Sequence, residues 1–186
     1  MQNKMGKLII VRHGESEWNK ADLFTGKKDV HLTGKGFKIS EELGALTKGI
    51  KIHRVFASMQ MRSIETEVCM MNGTENCYAE NIAYSSALNE RDYGDYTGMN
   101  KLDEEKKIGK EKMNALRRSW DYPVSNGETL KMVYERAVPF FKEEILPVLE
   151  NGDNVSIIFI KLTIVSPGQS VVIYDKDICL GGGIVE

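Results

Sequence analysis

Cysteine is scarce in this sequence and unpaired in pattern: Cys69, Cys77 and Cys179 are odd in number, far apart and without a C-x-x-C. Neither a disulfide framework nor a zinc ribbon is supported, and a reducing compartment is expected. A dominant charge sign is also missing, because 25 Lys+Arg stand against 27 Asp+Glu, with the two signs interspersed. That excludes the basic field by which a protein draws nucleic acid or an anionic membrane, so an anionic ligand must be held by a local cluster. Long apolar runs are absent as well. The stretch Met1 to Arg12 holds only Leu8-Ile9-Ile10-Val11, far short of a membrane span, and a cytoplasmic setting without export is expected. Histidine is nearly missing: His13, His31 and His53 are all there is, and none follows residue 53. What the chain does have is 186 residues of which 41% are hydrophobic, enough for one domain with a real core.

Lys7 to Val11 reads as a strand of a parallel sheet buried on both faces, ending in Arg12-His13-Gly14. Glu15 to His31 is polar, carries a turn at Thr25-Gly26 and reads as a long loop. Thr33 is placed to cap a helix that carries Phe37, Ile39, Leu43 and Leu46 inward and stops near Gly49. Arg54 to Ala57 is a second strand, and Ser58 precedes a helix running to about Met71. Glu80 to Gly98 is loop-like, and Lys101 to Leu116 is helical in composition. From Gly127 to Glu150 apolar residues recur at helical spacing, with Pro139 and Pro147 predicting kinks or an early break. Asn154 to Ile160 and Ser170 to Tyr174 are further strands. Strands alternating with helices predict an α/β fold: a mostly parallel central sheet flanked by helices, a Rossmann-like three-layer sandwich.

Ligands of such sheets bind outside the carboxyl ends of the strands, where the first strand delivers Arg12 and His13, and Gly14 lets backbone come close. An imidazole there can act as a nucleophile toward phosphorus, with the Arg12 fork neutralising phosphoryl oxygens. Ser58, Arg62 and Thr66 are spaced four apart, which puts Arg62 in the first turns of a helix as a second phosphate fork. Leu88-Asn89-Glu90-Arg91-Asp92-Tyr93-Gly94 offers Glu90 as a carboxyl group that burial could equip to donate and accept a proton. Lys101, Arg117 and Arg118 are cations suited to a substrate carboxylate and a second phosphate. His31 and His53 lack neighbours at ligand spacing, so no metal site is expected.

Together these pieces resemble the cofactor-dependent phosphoglycerate mutases of the histidine phosphatase superfamily. The resemblance runs from Lys7 to about Ile158 through R-H-G-E-S-E-W-N at Arg12 to Asn19, L-F-T-G at Leu23 to Gly26, and S-x-x-x-R-x-x-x-T at Ser58 to Thr66. It continues through L-N-E-R-x-Y-G at Leu88 to Gly94, G-x-N-K at Gly98 to Lys101 and R-R-S at Arg117 to Ser119. The resemblance implies that His13 is phosphorylated during turnover, that Arg12 and Arg62 cradle the phosphate, and that Glu90 is the acid/base. It implies substrate contacts at Asn19, Thr25, Gly26, Arg91, Tyr93, Lys101, Arg117 and Arg118. It further implies priming of His13 by 2,3-bisphosphoglycerate, no metal, a role in glycolysis and gluconeogenesis, and a homodimer or homotetramer.

Two departures stand out. Lys27, followed by Lys28, occupies the place after T-G where the family usually has tryptophan. Where the family follows the strand ending near Ile158 with a second histidine in H-G-N-S-L-R, this chain passes directly to Phe159-Ile160-Lys161-Leu162-Thr163-Ile164. That stretch, with Pro167 to Val172, resembles the segment beyond the missing crossover helix, so one domain over 1–186 with a gap near 158/159 is expected. A parallel connection needs roughly a dozen residues or more, which do not fit there. Three accounts stay open: a segment that this sequence omits, a true deletion, or divergence into something non-catalytic. Rival functions are a phosphatase on the same scaffold and an impaired phospho-ligand binder.

Overall fold

The computed structural model describes residues 5–73, 81–159, 170–175 and 178–184. Strands β1 (Leu8–Arg12), β2 (Arg54–Ser58), β3 (Ile82–Ser85) and β4 (Val155–Phe159) form a parallel sheet in the order β1-β4-β2-β3. The helices are α1 (Glu17–Lys20), α2 (Gly34–Leu46), α3 (Met61–Gly73), α4 (Lys101–Ile108), α5 (Lys110–Arg118), α6 (Leu130–Phe140) and α7 (Leu146–Glu150). In register, Arg12 lies opposite Phe159 and Ser58 opposite Ser85. The strands therefore end together, and the residues that follow them share one rim.

The period-2 alternation of the strands sorts their side chains onto two faces. Val11, Val55, Ala57 and Ile158 pack with Met70 and Met71 of α3 and with Leu43 of α2. Phe56, Val155 and Ile157 face the other way, onto Phe140, Ile145 and Leu149. Helices thus cover both faces, as the α/β reading requires.

The inward face of α2 differs from the expectation. Thr33 does cap it, accepting from the Gly36 N–H at 3.1 Å, but the buried positions are Gly36, Ser40 and Gly44, while Phe37 is 36% and Leu46 78% exposed. The cause is proximity: a Cβ on Gly44 would lie 2.3 Å from the Met70 carbonyl oxygen of α3. Hydrophobic spacing points to large side chains, whereas helices this close are joined by small ones.

Other differences are local. A turn of helix, α1, sits inside the expected loop because Ser16 and Asn19 form a reciprocal cap. The loop-like stretch holds the short strand β3, and the helix expected over Lys101 to Leu116 is split at Gly109, whose φ of 85° suits glycine. Over 130–150, a π-helical turn at Phe141–Ile145 lies between the two prolines. Pro147 has no N–H to return to the preceding turn, and the wider turn absorbs that loss. Among the described residues β1 pairs only with β4, and its Ile10 is 37% exposed rather than buried.

Ser170–Asp175 does form a strand, β5, but not one of the parallel sheet. It pairs antiparallel with β6 (Ile178–Ile184) in a separate two-stranded sheet. Ile160 and Lys161 to Gln169, on which part of the junction reading rests, lie outside the described residues.

Candidate active site

The carboxyl rim of the sheet opens into a cleft of about 420 Å³ lined by Arg12, His13, Asn19, Thr25, Glu90, Tyr93, Lys101 and Arg117, with Asp22 and Glu105. Eight of the predicted site residues therefore meet in one place. His13 is only 6% exposed, and its Nδ1 lies 2.5 Å from the Gly14 carbonyl oxygen. A carbonyl can only accept, so Nδ1 carries the proton and the lone pair of the neutral ring resides on Nε2. Gly14 earns its place by close approach: a Cβ there would lie 2.4 Å from the Gly36 carbonyl oxygen. Its N–H donates to Thr66 Oγ1 at 3.0 Å, and the Thr66 hydroxyl donates to the Arg62 carbonyl at 2.7 Å. The threonine of S-x-x-x-R-x-x-x-T thus ties the histidine turn to α3.

Arg62 is fully buried, and burial pulls its proton affinity below the ordinary guanidinium range, opposed by Glu90. Its Nη1 donates to the Lys28 carbonyl and its Nη2 to the Gly26 carbonyl, each at 3.0 Å, with Nη2 also 2.8 Å from Glu90 Oε2. The expected phosphate fork is thus engaged with the loop and with Glu90, and Arg62 is not among the cleft-lining residues. Gly26, with a φ of 53°, turns the loop so that its carbonyl faces Arg62.

Arg91 is likewise not a wall residue. It is 2% exposed, donating from Nε to the Glu128 carbonyl at 2.6 Å and from Nη1 to the Leu116 carbonyl at 2.9 Å, with its guanidinium over the Tyr93 ring. Burial, then the nearby Glu90 charge, pushes the Tyr93 hydroxyl up to about 12, so it remains a phenol at neutral pH. Phe24, Tyr93, Met113, Leu116 and Val124 form a third apolar cluster that fixes this wall. Arg118 is exposed at the end of α5 and away from the cleft lining. Lys101 reaches the cleft beside Asp22, at 3.1 Å, and Lys27 pairs with Asp92 at 3.1 Å on the rim.

Two residues that sequence reasoning missed hold the site together. Gln60, 4% exposed, joins Gly26 to Glu90. Arg136 of α6 donates to the carbonyls of Ala87 at 2.7 Å and Asn89 at 2.8 Å and grips both oxygens of Glu128 at 3.1 Å. Gln60 falls on an unspecified position of S-x-x-x-R-x-x-x-T and Arg136 stands in no motif, so their spacing in sequence carries no signal.

At the far end of the loop, His31 Nδ1 lies 2.6 Å from Glu65 Oε1, and Glu65 Oε2 accepts from the Leu32 N–H at 2.8 Å. The hydrogen bond to Glu65, then its charge, raises the His31 pKa above 6.5. The raised value means the ion pair holds the loop to α3 below the ordinary imidazole range and lapses as pH rises through the folded value. A histidine NMR titration is expected to place His31 above 6.5, and Glu65→Gln to bring it back toward that value; an unshifted His31 in the parent protein would refute the pairing.

Comparison with known proteins adds relatives to this geometry. A 2,3-bisphosphoglycerate-dependent phosphoglycerate mutase of Parvibaculum lavamentivorans is 43% identical over 152 residues, covering 81% of this chain and 72% of the relative. Its namesake from Streptococcus pneumoniae is 35% identical over 178 residues, covering 81% and 77%. Among solved structures, phosphoglycerate mutase from Bacillus anthracis superposes with a TM-score of 0.72 at 21% identity, covering 88% of this chain and 78% of that one. A mycobacterial glucosyl-3-phosphoglycerate phosphatase does so with 0.69 at 19%, covering 84% and 74%. Both share the fold. A second family model, the aminomethyltransferase beta-barrel domain, matches residues 146–185. It covers the region beyond Phe159 that had been expected to continue the mutase pattern, and the first family's match stops at Ile158. The first match spans residues 8–158, which contain the whole cleft, and by it the chain belongs to the histidine phosphatase superfamily, branch 1.

Proposed function

We propose that the chain interconverts 3-phosphoglycerate and 2-phosphoglycerate by passing a phosphoryl group through His13. The observation that carries this is the pairing of a histidine whose Nδ1 is committed to Gly14 with Glu90 and three cations, Arg12, Lys101 and Arg117, around one cleft. Nε2 attacks phosphorus in line as the P–O bond to the substrate oxygen breaks, and the leaving oxygen takes a proton from Glu90. In the reverse half Glu90 accepts the hydroxyl proton while that oxygen attacks phosphohistidine. The cations spread over the wall stabilise the charge of the transferring group, and Asn19 and Thr25 orient the acid. The same cation set fits 2,3-bisphosphoglycerate, which when bound supplies the phosphoryl group that primes His13. Glycolytic and gluconeogenic use, a cytoplasmic location and a homodimeric or homotetrameric state belong to this reading, as do small phosphorylated three-carbon acids, rather than nucleic acid or membrane, as partners.

The test is incubation with labelled 2,3-bisphosphoglycerate and then 3-phosphoglycerate. Acid-labile label on His13 followed by label in the isomer supports the mutase; label in free phosphate would make the chain a phosphatase, and no label on His13 would sink both.

One observation favours a second reading for turnover. The family match ends at Ile158, a different family's model matches 146–185, and β5 and β6 form a sheet of their own. We propose that the polypeptide departs from the mutase architecture at the 158/159 junction, and that phosphate uptake then outlasts efficient transfer because the second histidine implied by the resemblance is absent from this sequence. The expected result is a peptide map that reads Ile158 and Phe159 as consecutive residues, with uptake on His13 and slow turnover. About twenty residues found between them, the size of a crossover helix with its loop, would refute the altered junction.

A further inference from the structure

We infer that Gln60 is a positioning residue that sets the place of Glu90 against the Gly26 loop; the inference rests on the phosphoryl-transfer reading. Gln60 stands two residues beyond β2, and its side-chain amide spans two segments that belong to neither neighbouring element. Nε2 donates to the Gly26 carbonyl at 2.9 Å, and Oε1 accepts the Glu90 N–H at 2.8 Å. The two partners fix the amide's orientation, since a carbonyl must face the NH2 and an N–H must face the oxygen. Its main chain is equally engaged. The Gln60 N–H donates to Ser58 Oγ at 3.3 Å, and its carbonyl accepts from the Ser63 N–H at 2.9 Å and the Ile64 N–H at 3.1 Å.

Arg62 closes the figure, because its Nη2 donates both to the same Gly26 carbonyl and to Glu90 Oε2. Gly26, Gln60, the Glu90 backbone, the Glu90 carboxylate and Arg62 thus form a closed ring of hydrogen bonds with its anchor at the start of α3. Gln60 grips the backbone of Glu90 while Arg62 grips its side chain. Backbone and carboxylate are therefore held at separate points, which is what a proton donor needs if it is to meet a substrate oxygen at a set distance. Gln60 itself does not line the cleft, so it acts through Glu90. No ordinary replacement reproduces the span. Methionine has a similar shape but lacks the donor and acceptor, glutamate keeps the acceptor but sets an oxygen against the Gly26 carbonyl, and asparagine is one methylene short.

The variants Gln60→Met and Gln60→Glu test this in the full chain, with amide hydrogen exchange at Glu90 and steady-state kinetics read in parallel. Gln60→Met is expected to speed exchange at the Glu90 amide about tenfold or more and to lower kcat about tenfold, with KM for 3-phosphoglycerate within about twofold. Gln60→Glu, which retains the acceptor for that amide, is expected to recover most of the exchange protection and little of kcat. Parent-like exchange and kcat in Gln60→Met would overturn the inference, as would faster exchange spread over the whole domain with kcat lowered and KM raised, the mark of a merely structural role. If the parent chain transfers no phosphate, the proposed function fails by itself, and exchange confined to Glu90 still decides for or against Gln60.

Discussion

His13→Ala is expected to abolish acid-labile phosphate uptake and to lower phosphoryl transfer by about three orders of magnitude or more. No other histidine lines the cleft; His31 is an exposed partner of Glu65, and His53 sits with Asn154 at the opposite end of the strands. Neither can take over the nucleophile's task. The tautomer argument sharpens the expectation. With Nδ1 donating to the Gly14 carbonyl, the attacking lone pair is on Nε2, so the phosphohistidine formed should be the Nε2 isomer, which phosphorus NMR distinguishes from the Nδ1 isomer. Label on His13 at Nδ1 would refute the assigned geometry, and label on His31 or His53 would refute the assigned nucleophile. Far-UV circular dichroism and Tm of His13→Ala serve as the folding control, because only a folded variant that takes up no phosphate speaks to chemistry.

The parts of the site that could be read in the sequence are those where one residue type has one job at a fixed place on the chain. His13 follows an apolar strand and stands beside a glycine that must let α2 approach, so strand pattern and chemistry point to the same position. Glu90, Lys101 and Arg117 were readable as a set because several charged residues recur in ordered short motifs, and the cleft does gather them. Arg62 and Arg91 were harder. The place of Arg62 in the first turns of a helix suggested a phosphate fork and the resemblance implied substrate contact at Arg91, but whether a guanidinium meets substrate or the carbonyls of its own loops depends on which loops fold over it, and both turn out buried. Gln60 and Arg136 were invisible for the same reason, since they answer to backbone carbonyls and amides whose positions exist only in the folded chain. On the fold side, the α/β alternation was plain from strand and helix periods, while the stripe of Gly36, Ser40 and Gly44 on α2 was misread because close helix contact inverts the usual size rule. The strand at Ser170–Asp175 was readable as a strand, yet its antiparallel partner was not, because a short apolar run carries no information about which edge it joins.

Arg136 is where the second large effect is expected. Its guanidinium holds the carbonyls of Ala87 and Asn89 and both carboxylate oxygens of Glu128, and Glu128 in turn accepts the Asp92 N–H at 2.9 Å. Arg136 therefore holds the segment from Ala87 to Asp92 at both ends, while Gln60 and Arg62 hold Glu90 in its middle. Arg136→Met leaves Glu128, whose side chain is only 13% exposed, without its ion-pair partner and with only the less direct charge of Arg91 nearby, and strips partners from carbonyls in the loop. Because the pair keeps some contact with water, the cost is set below that of a fully dry pair, at about 2–4 kcal/mol, read as a lowered urea midpoint at unchanged m-value. Arg136→Lys should restore the charge but not the fork and recover only part of that loss. Glu128→Gln in the Arg136→Met background removes the stranded charge, so it should regain stability without regaining transfer. A loop that has lost its anchor leaves Glu90 misplaced, and single-turnover transfer should stay down about a hundredfold. If the double variant recovers both stability and transfer, Arg136 serves only to neutralise Glu128; if stability returns and transfer does not, it is the fork on the loop carbonyls that aims Glu90.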